Sequence, residues 1–350
     1  MRIPFWQREQ AHPTKAIDRL QNSRSSRQLI GIWTAHDFEK IVASLVRVKG
    51  SGKYARFVEK DSITIELEDS AQKTFRDLAN DSSPRESDIL FAGTELAAYQ
   101  ADGCLRLLAR NGVTASELVA VGAIDPGLEI VDFEGKPLYR SLTNSVELAT
   151  RTSITVIDRF AERDILDGGT GNNLLALGYW FLLGDRNPRV SEEDRLLVLN
   201  AKPNWQVYFL PASDGLDAKL PEIGFFNLDD GQDHVQSVNQ IIDQCLASRK
   251  GLRLRVIFEK ESGIKTSQTD DRVASSSLEE FGIQNIDSVA TAFMANSFID
   301  QLPVSIPDLT GNQNPKVLGS LTPGSLVNFR NFVHQSSKVT PSIMKLRDAI

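Results

Sequence analysis

The clearest capacity for chemistry in this 350-residue chain lies in Gly168-Gly169-Thr170-Gly171, with Arg163 and Asp164 just before it. The run follows an apolar, strand-like segment that holds Ile154, Val156 and Ile157. Glycines directly after a strand carry no Cβ, so the backbone there can approach a ligand closely. Arg163 and Asp164 also have a plain reading, as an ion pair that fixes the hinge between two domains. Other chemistries find few parts. The histidines, His12, His36, His234 and His334, stand at no metal-ligand spacing from cysteines or carboxylates, and no metal is expected. His36 and Asp37 are adjacent, and neighbours in a strand point to opposite faces. The chain has neither a Gly-x-Ser-x-Gly elbow nor a Walker lysine motif.

Composition narrows the class. A chain that is 41% hydrophobic and 24% charged is built like a soluble globular protein. A net charge of −7 argues against nucleic acid and anionic membrane surfaces as partners. Cys104 and Cys245 form no Cys-x-x-Cys pair and read as small buried hydrophobes in a reducing compartment. No apolar run reaches membrane-spanning length, and a cytoplasmic location is expected.

The elements that must position any site follow from periodicity. Residues 1–28 are polar and basic and read as a leader. Leu29 to Trp33 is a buried strand and Ile41 to Val48 a second, with Lys49 to Gly52 as a turn. Tyr54 to Val58 and Ser62 to Leu67 continue the same meander, for three antiparallel strands at the start. Apolar residues at helical spacing fill Ser87 to Asn111, and Leu118 to Val121 is again a strand. A second meander comprises Leu196–Leu199, Val207–Leu210 and Ile223–Phe226, then a helical stripe from Val235 to Cys245 and a strand from Leu252 to Phe258. One pattern met twice points to a duplicated α/β architecture.

The segment from Arg151 to Leu174 resembles the central signature of the anhydro-N-acetylmuramic acid kinases. Thr152, Ile154, Thr155, Val156, Phe160, Asp164, Ile165, Gly168, Gly169, Gly171 and Leu174 match it. A second block is similar in order and spacing: Gly282-Ile283, Ala290-x-Ala292-Phe293, Leu302-Pro303, Ile306-Pro307, Thr310-Gly311 and Leu318-Gly319. The resemblance implies an actin-like ATPase or sugar-kinase fold of two ribonuclease-H-like domains. It places the first at 29–165, the second at 166–309, a return to the first at 310–325, and a tail at 326–350. It implies Arg163, Asp164, Gly168, Gly169 and Gly171 as the sugar cleft. Two departures change charge: the family's Asp before Phe is Arg159, and the Arg after it is Ala161.

The resemblance also implies where ATP and Mg²⁺ would bind, and there the chain departs from the family most. The first phosphate turn corresponds to Ile30 through Lys40, with Gly31 and Thr34 kept. Its turn glycines have become Ala35 and Lys40, and its Asp has become Glu39. A Cβ where the family turn wants positive φ costs about 1–2 kcal/mol per site. The second turn, with the family's catalytic base, corresponds to Gly224 through Gly231 and puts Phe226 at the base position. A shifted register would offer Asp229 or Asp230 beside Gly231. Elsewhere Ala201-Lys202-Pro203 and Phe258-Glu259-Lys260 replace glycine turns, and Ile124-Asp125-Pro126-Gly127 stands where the family has a sugar motif. The expectation is a divergent relative with weak or absent ATP binding, a pseudokinase with a remodelled cleft. A working kinase of 1,6-anhydro-N-acetylmuramic acid in peptidoglycan recycling and a protein-interaction module are the alternatives. Expected partners are a sugar or muropeptide fragment or another protein; the family is often dimeric.

Overall fold

Leu29 to Trp33 and Leu118 to Ile124 contain no charged side chain, as strands covered on both faces require. In the computed structural model they are neighbours: β1 (Arg27–Thr34) runs parallel to β4 (Leu118–Ile124). The structure describes residues 26–50, 55–81, 83–131, 137–162, 175–184, 195–200, 205–211, 224–228, 239, 242–243, 246–247, 252–258 and 271–301. On one side of β1 lie β2 (Lys40–Lys49) and β3 (Arg56–Glu66), joined as an antiparallel meander. Beyond β4 comes the short parallel strand β7 (Val156–Ile157), giving the order β3-β2-β1-β4-β7. A hairpin of β5 (Leu128–Val131) and β6 (Pro137–Arg140) follows β4.

A second five-stranded sheet repeats the pattern. Its strands are β8 (Arg195–Asn200), β9 (Trp205–Pro211), β10 (Gly224–Leu228), β11 (Leu254–Phe258) and β12 (Val273–Ser277). Their order is β10-β9-β8-β11-β12, again an antiparallel meander followed by parallel strands. The chain is therefore α/β with mixed sheets. No helix among the described residues is long and apolar enough to cross a membrane.

Alternation along β1 divides the first sheet's two faces. Ile30 and Ile32 pack with α1 (Asp69–Ala79), α2 (Glu86–Asn111) and α3 (Ser145–Thr152), through Phe75, Leu96, Leu107 and Leu148. Leu29 packs on the other face with α4 (Leu175–Leu183) and α5 (Ile286–Gln301), where Val198 and Ile257 of the second sheet join the same core.

Helix α5 seats closely on that face because two glycines lie beneath it. Gly31 and Gly122 are register partners on β1 and β4. A Cβ at Gly31 would stand 1.8 Å from the Ser288 carbonyl oxygen, and one at Gly122 2.9 Å from that of Thr291. The opposite side of α5 meets Gly178 of α4, where a Cβ would lie 2.7 Å from that of Ala290. With close neighbours on both sides, the helix needs small residues, and its buried polar groups need partners. Ser288 Oγ and Ser44 Oγ share a hydrogen bond at 2.6 Å, and Asn296 accepts one from the Arg27 Nε at 2.7 Å. Tyr179 donates to Asp287, and Glu59 accepts from the backbone N–H groups of Gln284 and Asn285 at the helix entrance.

Several sequence expectations need correction. The leader at 1–28 ends before Arg27, which is buried at the start of β1. Of the runs Tyr54–Val58 and Ser62–Leu67, residues Arg56–Val58 and Ser62–Glu66 belong to one strand, β3. Its register with β2 steps from Leu45↔Asp61 to Val46↔Glu59, so Lys60 is an extra residue. A bulge swaps the faces on its two sides. Phe57 thus packs in the α5 core and Glu59 turns to α5, while Ile63 and Ile65 pack in the α2 core. The break in alternation at Lys60 is what divides this strand into two runs in the sequence. Helices α1 and α3 and the β5–β6 hairpin were not anticipated. Helix α5 lies on the first sheet, so the chain has returned there by Ile286 rather than at 310. Of the expected helix at Val235–Cys245, Asn239, Ile242 and Asp243 are described and helical. The segments 302–325 and 326–350 lie outside the described residues.

The glycine pair makes a direct prediction. Gly31→Ala forces a methyl group against a helix carbonyl and should lower stability by about 2–4 kcal/mol. Gly103→Ala, whose nearest contact is the Ile65 side chain at 3.3 Å within α2, should stay within about 1 kcal/mol of wild type. Urea unfolding of both variants reads the difference as a shift in midpoint.

Candidate functional site

In open α/β sheets, ligands meet the protein beyond the carboxyl ends of parallel strands. At that edge of the first sheet β1 ends at Thr34, and β4 and β7 are each followed directly by an aspartate, Asp125 and Asp158.

Asp125 is 5% exposed, and both of its carboxylate oxygens are satisfied. Oδ1 accepts from the N–H groups of Gly127 (2.8 Å) and Leu142 (2.9 Å). Oδ2 accepts from Ser141 Oγ (2.6 Å) and the Thr143 N–H (3.1 Å). The Tyr139 hydroxyl donates to the Asp125 carbonyl oxygen. Gly127 is in the left-handed region at φ 64°, where a Cβ would run into the Tyr139 ring. Asp125 thus fastens its own turn to Ser141, Leu142 and Thr143, in the segment that leads into α3.

Asp158 is different. It is 3% exposed; Ser145 Oγ donates to Oδ2, and Oδ1 has no hydrogen-bond partner. Burial pushes its carboxyl up to about 6; the Ser145 hydrogen bond and Arg159 oppose the shift, and the charges of Asp125 and Glu162 add to it. Glu162, which accepts from the Ser141 N–H at 2.7 Å, is also raised by burial. Arg159 is held at φ 58°, with Nε 3.8 Å from Asp158 and 3.7 Å from Glu162. Its side chain is 47% exposed, so solvent screens that compensation. Gln100 donates to Thr34 Oγ1 (3.2 Å) and Thr143 Oγ1 (3.0 Å), while its Oε1 is buried without a partner. No group of three or more His, Cys, Asp or Glu among the described residues is arranged to hold a metal ion.

The β1–β2 turn, the expected first phosphate turn, is closed on itself. The Ala35 N–H donates to the Lys40 carbonyl and the Phe38 N–H to the Ala35 carbonyl, both at 2.9 Å. The Glu39 N–H goes to Asp37 Oδ1 at 3.1 Å. Here the cost expected at Ala35 and Lys40 needs correction: the left-handed residue is Phe38, at φ 57°, and neither of those two has positive φ. Phe38 turns inward and packs on Phe75 with ring centroids 5.5 Å apart.

The expected site residues separate accordingly. Thr34 lies at the strand edge, buried and hydrogen-bonded to Gln100. Gly31 is in mid-strand beneath α5, so helix packing is what demands a glycine there. Glu39 is exposed in the turn. Phe226 lies within β10 opposite Val207. Arg163, Asp164, Gly168, Gly169, Gly171, Asp229, Asp230 and Gly231 lie outside the described residues. Sequence reasoning missed Asp158, Glu162 and Gln100. A signal for the first was present: Ala123-Ile124-Asp125 and Val156-Ile157-Asp158 both end an apolar run in Ile-Asp.

Because the folded-state carboxyl of Asp158 is raised, it favours folding below its unfolded value and loses that contribution as pH climbs through about 6. Asp158→Asn should therefore raise stability at about pH 8, by up to ~3 kcal/mol, and change little near about pH 3.5. Urea unfolding at the two pH values checks this; an equal loss at both would contradict it.

No family model and no curated protein is significantly similar to the chain. Among solved structures it is similar to a protein described as "Reductive activator for corrinoid,iron-sulfur protein", at 7% identity and a TM-score of 0.39. The match covers 89% of this chain and 66% of that one, so the chain spans just under two thirds of that protein's length.

Proposed function

We propose that the chain is a divergent relative of the anhydro-N-acetylmuramic acid kinases, with two ribonuclease-H-like domains of the actin-like class and no efficient phosphotransfer. The fold part is supported by the strand order β3-β2-β1-β4-β7 and its repetition in β10-β9-β8-β11-β12. Support also comes from α4 and α5 packing on one another in the core that includes Val198 and Ile257 of the second sheet.

The loss of catalysis is carried by one observation, the closed β1–β2 turn. A phosphate cradle needs backbone N–H groups that point outward and lack partners. Here those of Ala35, Phe38 and Glu39 are used within the turn, and Phe38 holds it shut by burying its ring. The residues present do not fit a nucleotide phosphate at this turn, and no phosphoryl-transfer step runs through it. A charge-assisted hydrogen bond is worth about 1.5–3 kcal/mol, so the loss of two moves a micromolar site to about millimolar. The protein in this reading works by binding, with the strand-edge network around Asp158 as its built polar site.

Calorimetry with ATP and Mg²⁺ on the full chain should give no saturable binding in the micromolar range; a dissociation constant below about ten micromolar would contradict the reading. A coupled ADP-release assay with 1,6-anhydro-N-acetylmuramic acid extends the test to turnover. Wild type and the Asp229→Asn, Asp230→Asn double variant should both be inactive. Turnover that the double variant abolishes would establish a working kinase with a shifted base.

A further inference from the structure

We infer that the Asp158 carboxylate, at the carboxyl ends of β4 and β7, is the acceptor of a binding site for a small organic cation with N–H donors, a primary ammonium group above all. The inference goes beyond the reading above and does not rest on it.

Two groups of the network at this edge each have an atom without a hydrogen-bond partner, the Gln100 amide and Asp158 at Oδ1, and the carboxylate oxygen is an acceptor. The two are connected: Gln100 holds Thr143, whose N–H is held by Asp125, and two residues further on Ser145 holds Asp158. What Asp158 lacks is a donor. Buried acceptors in native proteins are nearly always satisfied, so a buried orphan carboxylate oxygen points to a donor supplied from outside.

Charge narrows that donor. Three carboxylates, Asp125 after β4 and Asp158 and Glu162 after β7, act on one another, and the negative charges of Asp125 and Glu162 both oppose ionisation of Asp158. Arg159 is the cation beside Asp158 and Glu162, at distances near the limit for an ion pair. Arg140, from β6, is engaged through both terminal nitrogens by Glu86, at 2.8 Å each; its charge also reaches Glu162, whereas the cation that acts on Asp158 is Arg159. An anion is repelled here. A neutral hydroxyl supplies a donor but leaves the excess negative charge. A metal ion lacks a suitable ligand group among the described residues. An ammonium group supplies donor and charge together. Ser145 Oγ donates its proton to Asp158 and keeps lone pairs free for a second N–H of the same ligand.

The test uses the full chain and three probes: methylammonium, tetramethylammonium and sodium chloride at matched ionic strength. Tetramethylammonium has the charge without a donor, and sodium chloride controls for screening. Binding is read by chemical-shift perturbation at about pH 8, with repetition at about pH 5, where Asp158 gains its proton. Methylammonium alone should bind saturably. Asp158→Asn, with unchanged circular dichroism, should weaken it at least about tenfold, and the lower pH should weaken it in wild type. Asp158→Glu, which keeps the charge, should retain part of the binding and guards against a variant that fails to fold. Three results would each overturn the inference: no saturable methylammonium binding, equal binding of tetramethylammonium, or binding that Asp158→Asn leaves unchanged.

Discussion

The close approach of α5 to the first sheet is the constraint on which the rest of this structure depends. It requires glycine at both Gly31 and Gly122, side by side on two parallel strands, because backbone of the helix occupies the space where a Cβ would stand. The same helix meets Gly178 on its other side, so α4, α5 and the sheet are spaced by glycine in two successive layers. Contacts this short leave room for Ser288, Thr291, Ala292 and Ala295 but not for larger residues. The buried hydroxyls and amides then fix the helix along its axis, through Ser44, Glu59 and Arg27.

Once β1 and β4 are held in register, their carboxyl ends and that of β7 form one edge, and its side chains divide into two kinds. Asp125 and Phe38 close the chain on itself, one by hydrogen bonds and the other by burial. Asp158 does the reverse: a buried carboxylate with an oxygen unpaired opposes folding at neutral pH. Groups that cost stability and persist in an otherwise well-satisfied framework are characteristic of functional positions.

Much of the fold was legible in the sequence, because strands covered on both faces leave unbroken apolar runs; β1, β2, β4 and β11 fall close to their expected places. The failures have physical causes. Lys60 bulges out of β3 and reverses the alternation, so the strand shows in the sequence as two short runs with no sign of how they join. Gly31 was read as part of a ligand turn, and a glycine needed for packing looks the same in sequence as one needed for close approach to a ligand. Helix α1 has Ala71, Phe75 and Leu78 as its only buried residues among polar ones, too few to announce it. Asp158 shares with Asp125 the local Ile-Asp ending of an apolar run, but what brings the two together is the adjacency of β4 and β7, which no local pattern encodes. The Gly168-Gly169-Thr170-Gly171 run and the Asp229-Asp230 pair lie outside the described residues, and their roles stand as proposals.

The central claim, that the β1–β2 turn is closed to phosphate, is tested most directly by amide hydrogen exchange at Ala35 and Phe38, with and without excess Mg-ATP. Their N–H groups are bonded within the turn, so both should exchange slowly in the free protein and at the same rate when nucleotide is added. Rapid exchange in the free protein that becomes slow on addition of Mg-ATP would show a turn that opens to hold phosphate, and would contradict the account.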